Sequence, residues 1–400
     1  MMKALLRPLV VVVILAALAA AWWYFRPGSE FSPREVIAFS EAPDRRPAYR
    51  MMPSIYPSRA VRPAAQPTTF ARDERPIDFT WTWDGTERTL DDYVTQRNVQ
   101  GIYVLKDRKV VYEEYFGEAR ADDQFTSWSV AKSVVSSLIG IALKEGVIAS
   151  LDDEAGQYAS GYAGTDYGAT SIRHLLMMSS GIDFNENYEE PGSDIRNLFL
   201  NTFLFNRDVD KTIRQYTRGR APGEVFDYIS TDTQVLSAVL RGAYGKRLID
   251  LFNEKLAAPL GITGGTWLVD RQGADGKELG YCCLQLTLED YAKLGQLYAQ
   301  GGRVGGAQIL PPEWPAFVAT AGTEDHAPPG EGLLGYGHHF WLIGGDEGAM
   351  TMQGYDGQLV HIDPDENVVI VIVSADRSHR DFAAVPEFVR LFQQVKAELR

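Results

Sequence analysis

The amino-acid sequence predicts an α+β fold, an antiparallel sheet flanked by helices and interrupted by an inserted, mostly helical subdomain. Three observations lead to this class. β-rich runs occur early in the globular part, near residues 101–112, and again near its end, at residues 354–374. Between them, residues 146–275 show short helical patterns broken by glycine and proline. Strands at both ends of one unit are expected to pair in a single sheet, with the helices inserted between them.

The first predicted elements are a hairpin and a central helix. Residues 101–105 and 110–112 are β-rich and flank a charged turn at 107–108, a pattern typical of a hairpin. Residues 129–145 follow with apolar side chains at helical spacing on almost every side. A helix with no polar face is expected at the centre of a domain.

The later elements close the sheet. Residues 287–300 have the pattern of an amphipathic helix. Strands are predicted at 354–362 and 367–374, joined by the turn 363–366, and a last helix is predicted at 382–399. In this scheme the sheet part of the domain spans about 76–145 and 276–400, and the helical part spans about 146–275.

Composition excludes several classes of protein. The 400 residues include 39 basic and 53 acidic side chains, a formal net charge of −14, which argues against nucleic acid as a partner. The two cysteines, Cys282 and Cys283, cannot build a disulfide framework or a four-ligand zinc site. Because neighbouring cysteines bridge only through a strained ring, we expect them to be packed thiols.

Residues 1–27 are predicted to be a membrane anchor or a signal segment. Residues 8–25 carry no charge, basic residues precede them, and aromatic residues 22–24 end the run. This pattern favours a single-pass helix in the cell membrane, with the remainder outside the cytoplasm, in the periplasm. The alternative is a signal peptide cleaved after the alanines at 19–21, which would release a secreted protein.

Residues 28–75 are rich in proline and arginine and predict an extended spacer. The alternative is that part of this segment packs along the domain surface, because it contains Ile55, Tyr56 and Phe70. The globular domain is then expected at residues 76–400.

One pair of side chains has the spacing for nucleophilic chemistry. Ser129 and Lys132 lie three residues apart in the first turn of the predicted central helix, so their side chains share one face. A serine hydroxyl needs a neighbour to take its proton, and a lysine can do so when apolar surroundings lower its pKa. The helix N-terminus adds N–H groups for a developing oxyanion.

The six histidines are scattered, so we expect structural roles for them and no metal site.

Three further segments place this pair in a family context. Ser129-Val130-Ala131-Lys132 resembles the nucleophile motif of the penicillin-recognising serine hydrolases, the class C β-lactamase-like group. Residues 172–182 are similar to that family's signature after the first helix, and residues 222–230 to its second catalytic motif. Residues 354–358 sit where the third motif lies, on a strand near the C-terminus. The resemblance covers roughly residues 95–395 and implies a β-lactamase/transpeptidase-like fold.

The resemblance implies an acyl-enzyme mechanism without a metal or organic cofactor. Ser129 would attack the carbonyl of a small-molecule ester or amide, while Lys132 and Tyr228 accept and relay its proton. The backbone N–H groups of Ser129 and Tyr355 would form the oxyanion hole. Gly354 would let the strand approach the substrate closely, without a side chain in the way.

Two departures from the family pattern bear on the substrate. The third motif has Met352-Gln353-Gly354 without the cation that receives a carboxylate in β-lactamases, and Ser230 stands where those enzymes favour asparagine. Both differences argue against penicillins and D-alanyl peptides. The sequence looks more like 6-aminohexanoate-dimer hydrolases and related esterases, in which a tyrosine, here Tyr188, contacts the leaving group.

We therefore predict Tyr188, Ser230 and Gly354 as substrate-binding residues. The alternatives are a penicillin-binding D-alanyl peptidase or β-lactamase, and a membrane-tethered binding homologue that has lost turnover.

Overall fold

An eight-stranded sheet forms the centre of the fold in a computed structural model that describes residues 2–26, 32–42, 44–376 and 385–400. The strands, in chain order, are β1 (Ser58–Val61), β2 (Ala71–Arg72), β3 (Trp81–Trp83), β4 (Thr86–Arg88), β5 (Val99–Lys106), β6 (Lys109–Tyr115), β7 (Phe125–Thr126), β8 (Gly265–Leu268), β9 (Leu284–Leu286), β10 (Arg303–Val304), β11 (Ala307–Gln308), β12 (Leu334–Tyr336), β13 (Trp341–Ile343), β14 (Met350–Gly354), β15 (Gln358–Asp363) and β16 (Val368–Ser374).

The helices are concentrated between the first and last strands. In chain order they are α1 (Met2–Phe25), α2 (Pro33–Glu41), α3 (Arg46–Arg50), α4 (Met52–Ile55), α5 (Leu90–Arg97), α6 (Val130–Lys144), α7 (Ile172–Leu176), α8 (Asp194–Phe199), α9 (Val209–Ile213), α10 (Ser230–Tyr244), α11 (Leu248–Phe252), α12 (Ala258–Leu260), α13 (Leu288–Ala299), α14 (Trp314–Val318) and α15 (Glu387–Leu399). Two π-helical turns, Leu200–Leu204 and Asn253–Ala257, follow α8 and α11.

The main sheet has the order β12-β13-β14-β15-β16-β5-β6-β2. Its neighbours are antiparallel except for β2, which runs parallel to β6. The early strand β5 pairs with the late strand β16, in the register Val104 with Ile370, and this confirms the predicted pairing across the helical insertion. A second antiparallel sheet has the order β1-β8-β9-β7, and β3-β4 and β10-β11 are separate hairpins.

Strand alternation gives the main sheet two apolar faces. Tyr103 and Val371 belong to the core cluster that also contains the side chains of α6 and α13, whereas Ile102 and Ile372 pack with α15. Successive side chains of a strand point to opposite faces, so a strand covered on both sides must be apolar throughout. β16 is buried along its whole length and is apolar from Val368 to Val373, with Ser374 at its end.

The predicted central helix is confirmed as α6, which begins directly after Ser129. Every residue from Val130 to Ala142 is buried, because α10 packs on one side of the helix and β14 on another. This position brings the first turn of α6 to the end of the main sheet.

The strand predicted at 354–362 is confirmed for residues 358–362 but starts too early, because the chain turns at residues 355–357. β14 ends at Gly354, and β15 begins at Gln358. Asp356 and Gly357 have φ of 57° and 89°, a left-handed conformation that ends the strand and forms a hairpin turn. The helix predicted at 382–399 is described from Glu387 onward, and residues 377–384 lie outside the described residues.

Part of the predicted spacer is packed into the domain. Tyr49, Met52 and Tyr56 are almost fully buried, and β1 pairs with β8. The prolines do not prevent this packing, because those of α3 and α4 stand in the first helical turn, where a missing N–H costs nothing. Residues 46–64 therefore belong to the folded domain, and the expectation of an extended spacer is wrong for them.

The expectation of two free thiols is also wrong. Cys282 and Cys283 form a disulfide between neighbouring residues, and both are buried. Cys283 has a φ of 70°, so the backbone turns sharply at the bond. The Trp267 indole N–H donates to the carbonyl of Cys282 at 3.0 Å and helps to hold this turn.

The N-terminal helix α1 contains one stretch, Pro8–Phe25, that is long and apolar enough to cross a membrane. None of its residues is buried against the rest of the described chain. A signal sequence has the same length and composition, so this finding agrees with an anchor and with a signal segment.

Candidate active site

The Ser129–Lys132 pair has the geometry that the sequence predicts. Ser129 is the N-cap residue of α6, and Lys132 stands in its first turn. The distance between Lys132 Nζ and Ser129 Oγ is 2.9 Å. Ser129 is partly exposed, whereas Lys132 is only 2% exposed. A reachable hydroxyl thus lies in hydrogen-bond contact with a buried amine.

The surroundings of Lys132 favour its neutral form. Its amine also lies 3.1 Å from Ser230 Oγ and donates to the carbonyl of Tyr281 at 3.0 Å. Burial lowers the pKa of the Lys132 ammonium to about 8, and the negative charge of Glu186 acts in the opposite direction. A lowered pKa favours the neutral amine, which is the form that can take a proton from a serine.

Glu186 is a site residue that the sequence analysis did not single out. Its carboxylate accepts the Ser230 backbone N–H at 3.0 Å, the Ser230 hydroxyl, and the Tyr188 phenol at 2.7 Å. Burial raises the pKa of Glu186, and the Lys132 charge opposes that rise. In the sequence Glu186 stands among several acidic residues of one loop, and nothing in the local pattern distinguishes it from Glu189 or Glu190.

Ser230 links Lys132 to Glu186. It is the first residue of α10 and is 1% exposed, with its hydroxyl between the Lys132 amine and the Glu186 carboxylate. This placement differs from the substrate contact predicted for Ser230, because a hydroxyl that is buried and bonded on two sides offers no free surface. In the structure the Ser230 hydroxyl instead bridges the Lys132 amine and the Glu186 carboxylate.

Tyr228 lies beside the same amine. Lys132 Nζ is 5.0 Å from the centroid of the Tyr228 ring, a distance at which a protonated lysine interacts favourably with an aromatic face. The ring is held by Trp341 at 5.6 Å and Tyr336 at 5.9 Å between centroids. The structure thus brings the second predicted motif to the first.

Gly354 lies against the turn that carries the nucleophile. A Cβ built on Gly354 would come within 2.3 Å of the Ser127 carbonyl oxygen and 3.1 Å of the Ser129 amide nitrogen. Only glycine allows the end of β14 to approach the backbone this closely. The third predicted motif is therefore in backbone contact with the first.

Gly354→Ala tests this close approach. The added methyl group has to displace either β14 or the Ser127–Ser129 turn, so we expect kcat/KM to fall at least about 10-fold and stability to fall by about 1–3 kcal/mol. Ester hydrolysis and urea unfolding measure the two effects. Gly161→Ala is the control, because a Cβ there meets nothing within 4 Å. Unchanged kcat/KM in Gly354→Ala would show that the approach is not needed for activity.

Tyr355 belongs to a group of rings next to Ser129. The Tyr355 ring stacks on Tyr188 with centroids 4.9 Å apart and meets Trp128 edge-on at 6.1 Å. Phe199 contacts Trp128 at 6.3 Å and Tyr188 at 6.2 Å. We call these four residues (Trp128, Tyr188, Phe199 and Tyr355) the aromatic cluster. It forms an apolar wall beside the nucleophile.

The packed N-terminal segment holds the Tyr355 turn from the other side. Arg45 Nη1 donates to the Asp356 carboxylate at 3.2 Å, and the Tyr49 phenol donates to the same carboxylate. The Tyr49 ring also meets Trp128 edge-on at 5.5 Å. Residues expected to belong to a spacer therefore support the third motif.

The described histidines have structural contacts. Burial lowers the pKa of His339 to about 3, and the nearby positive charge of Lys132 acts in the same direction. Its ring nitrogens lie 2.9 Å from Thr233 Oγ1 and from the carbonyl of Leu176, so it is a neutral core residue. His379 lies outside the described residues.

Comparisons with known proteins agree with this geometry. The beta-lactamase family model matches residues 86–394. The 6-aminohexanoate-dimer hydrolase of Paenarthrobacter ureafaciens is 27% identical over 362 residues, which cover 87% of this chain and 90% of that protein. A Bacillus anthracis structure provisionally named 6-aminohexanoate-dimer hydrolase is 21% identical, with a TM-score of 0.79 over 94% of this chain and 97% of its own. A family VIII carboxylesterase is 16% identical, with a TM-score of 0.56 over 75% and 92%.

Proposed function

Because the chain belongs to the beta-lactamase family and is a serine hydrolase of the amidase and esterase type, we propose that it cleaves ester or amide bonds through an acyl-enzyme on Ser129. The observation that carries this proposal is the 2.9 Å contact between Ser129 Oγ and the buried Lys132 amine. The pair supplies a nucleophile and its base in one helical turn.

The proposed reaction begins when Ser129 Oγ attacks the substrate carbonyl and its proton passes to Lys132. The backbone N–H groups of Ser129 and Tyr355 stabilise the negative charge on the carbonyl oxygen. When the tetrahedral intermediate collapses, the bond to the leaving alcohol or amine breaks, and that group takes up a proton. This proton passes from Lys132 to Tyr228 and then to Tyr188, and Tyr188 delivers it to the leaving group.

The second half of the reaction releases the acid. A water molecule near Tyr228 loses a proton to the Lys132–Tyr228 pair and attacks the acyl carbonyl, and Ser129 leaves with a proton returned from Lys132. Ser230 and Glu186 take no part in bond breaking in this scheme. They position the Lys132 amine, since Ser230 bonds to both groups.

The direct test is labelling of the full chain with a fluorophosphonate probe. We expect one adduct, located by mass spectrometry on the peptide that contains Ser129, and hydrolysis of p-nitrophenyl acetate. A binding homologue without turnover would show neither result. A panel of short-chain esters, linear amides and D-amino-acid peptides would then define the preferred bond.

β-Lactams are expected to be poor substrates. The position two residues before Gly354 holds Met352, a neutral and buried side chain, where a β-lactamase places a cation for the substrate carboxylate. A hydrogen bond to a charged group contributes about 1.5–3 kcal/mol, so its absence corresponds to roughly 10- to 100-fold in kcat/KM. We therefore expect slow nitrocefin hydrolysis and weak labelling by fluorescent penicillin. Efficient turnover of nitrocefin would favour the β-lactamase or D-alanyl peptidase alternative.

The rate should depend on pH through Lys132. Its neutral form is the base, so kcat/KM is expected to rise as the pH increases through about 8, the lowered pKa of Lys132. The negative charge of Glu186 raises that pKa, so Glu186→Gln should move the rise to lower pH by about one unit. Glu190→Gln, on the same loop and exposed, is the control. A profile that moves to higher pH in Glu186→Gln would contradict this coupling.

The N-terminal helix is proposed to anchor the enzyme in the cell membrane with the catalytic domain in the periplasm. Its apolar stretch, Pro8–Phe25, supports this proposal. N-terminal sequencing of the mature protein tests it: an anchored chain retains residues 8–25 and stays with the membrane fraction, whereas a cleaved chain starts after them and is soluble.

A further inference from the structure

The segment that follows α8 exposes apolar side chains next to the active site. We call residues 200–205 the interfacial segment; it contains the π-helical turn Leu200–Leu204 and Phe205. Leu200 is 46% exposed and Phe205 is 42% exposed. Outside α1, the other large apolar side chains exposed in the described part of the chain are Met51 and Val225. Half of this exposed apolar set therefore lies within six residues.

The interfacial segment touches the end of the apolar N-terminal helix. The Trp23 ring stacks on Phe205 with centroids 5.8 Å apart and planes 18° from parallel. Arg26 Nη2 donates to the carbonyl of Leu204 at 3.5 Å. Tryptophan and arginine at the end of an apolar helix mark the membrane–water interface. A bilayer that surrounds α1 thus meets the interfacial segment at the same level.

Positive charge lies where lipid headgroups would be. The Arg207 guanidinium stands over the Phe205 ring at 5.5 Å, and that of Arg34 over the Phe25 ring at 6.0 Å. Both arginines are exposed, so their charges face outward although the protein as a whole is acidic. Basic residues beside exposed aromatic rings suit a surface that meets anionic phosphate groups.

The inner side of the same segment reaches the aromatic cluster. Phe203 packs on Tyr56 with centroids 4.4 Å apart and on Phe199 at 5.6 Å. Phe199 is a member of the cluster and contacts Trp128, the residue before Ser129. A row of rings, Phe203, Phe199 and Trp128, therefore leads from the interfacial segment to the residue before the nucleophile.

We propose that the interfacial segment enters the leaflet from which α1 emerges, and that the enzyme takes amphiphilic esters or amides with a long hydrocarbon chain from the bilayer. The hydrocarbon chain lies along the row of rings, and the scissile carbonyl reaches Ser129. The part of this proposal that concerns substrates rests on the proposed hydrolase function. Hydrolysis then releases a long-chain acid and an alcohol or amine, with water supplying the added oxygen and protons.

The test uses the full chain reconstituted in vesicles of phosphatidylcholine and phosphatidylglycerol. Two substrates are compared, p-nitrophenyl laurate dissolved in the bilayer and p-nitrophenyl acetate in the aqueous phase. The double variant Leu200→Ser/Phe205→Ser should lose about 10-fold or more in kcat/KM for the laurate, because two apolar side chains no longer enter the lipid. Its kcat/KM for the acetate should stay within about two-fold of wild type, since both side chains lie outside the catalytic pair.

Met51→Ser is the matched control, because Met51 is an exposed apolar residue outside the interfacial segment. It should leave both rates unchanged. Equal losses for the two substrates in the double variant, or an unchanged laurate rate, would overturn the proposal.

Membrane entry is measured separately from catalysis. A Leu200→Cys variant carrying an NBD fluorophore should show blue-shifted emission in vesicles and quenching by doxyl-labelled lipids, whereas a labelled Met51→Cys variant should show neither. The native cysteines are disulfide-bonded and buried, so they do not compete for the label. Equal emission from the two sites would overturn the proposed contact with lipid. If the wild type fails to react with a fluorophosphonate, that result contradicts the proposed hydrolase function. The fluorescence measurement then still decides whether the interfacial segment contacts lipid.

Discussion

Ser129→Ala is expected to abolish labelling by a fluorophosphonate and to lower kcat/KM for p-nitrophenyl acetate at least about 10³-fold. The substitution removes the partly exposed hydroxyl that lies 2.9 Å from the Lys132 amine at the start of α6. Without it no acyl-enzyme forms, and Lys132 has no nucleophile to activate. Probe gels, intact-protein mass spectrometry and steady-state rates measure the effect.

Ser136→Ala is the matched control for this prediction. Ser136 lies two turns further along α6, is fully buried, and donates to the His338 carbonyl at 2.9 Å. Its removal costs some stability through the lost hydrogen bond but leaves the nucleophile in place. Labelling that persists in Ser129→Ala, or disappears in Ser136→Ala while the protein stays folded, would contradict the assignment.

Lys132→Ala is expected to lower kcat at least about 10²-fold, the usual effect of losing general-base assistance. The amine is the group that accepts the Ser129 proton, and its buried position is what lowers its pKa. The same substitution removes one of the two partners of the Ser230 hydroxyl, so circular dichroism and urea unfolding should be measured alongside the rate.

Lys132→Arg separates the loss of a base from the loss of a positive charge. A guanidinium keeps the charge but stays protonated at every accessible pH, so this variant should be about as slow as Lys132→Ala. Near-normal turnover in either variant would contradict the role of Lys132. A variant that regains activity only at high pH would point to another base.

The short-range part of the site was predictable because it depends on a single helical turn. Ser129 and Lys132 meet whenever residues 129–132 are helical, and the apolar pattern of α6 indicated that helix. The pairing of β5 with β16 was predictable for a related reason, since two strongly β-forming runs at the ends of one domain have few other partners.

The turn at 355–357 could have been found from sequence. Asp356-Gly357 is a typical turn pair, since both residues adopt a left-handed conformation with little cost. The β-rich residues on both sides favoured a single strand, so the predicted strand ran across the turn at 355–357. The disulfide between Cys282 and Cys283 could not be found in this way, because two adjacent cysteines in a sequence are equally compatible with free thiols.

Glu186 and Ser230 required the folded chain. The loop that carries Glu186 lies more than 40 residues before Ser230, and only packing of that loop against the start of α10 brings the carboxylate to the hydroxyl. Burial then shifts the pKa values of Glu186 and Lys132, and no local pattern reports how much water a side chain loses.

Local pattern was thus sufficient for the individual strands and for the central helix that brings Ser129 and Lys132 together, since each depends on residues within a few positions of one another. The family resemblance added the role of that pair. Long-range packing decided how Glu186 and Ser230 hold the base, how Arg45 and Tyr49 support the Tyr355 turn, and why an apolar segment lies beside both α1 and the aromatic cluster. These features depend on side chains that are distant in the chain, and their energies come from burial, which exists only after the fold has formed.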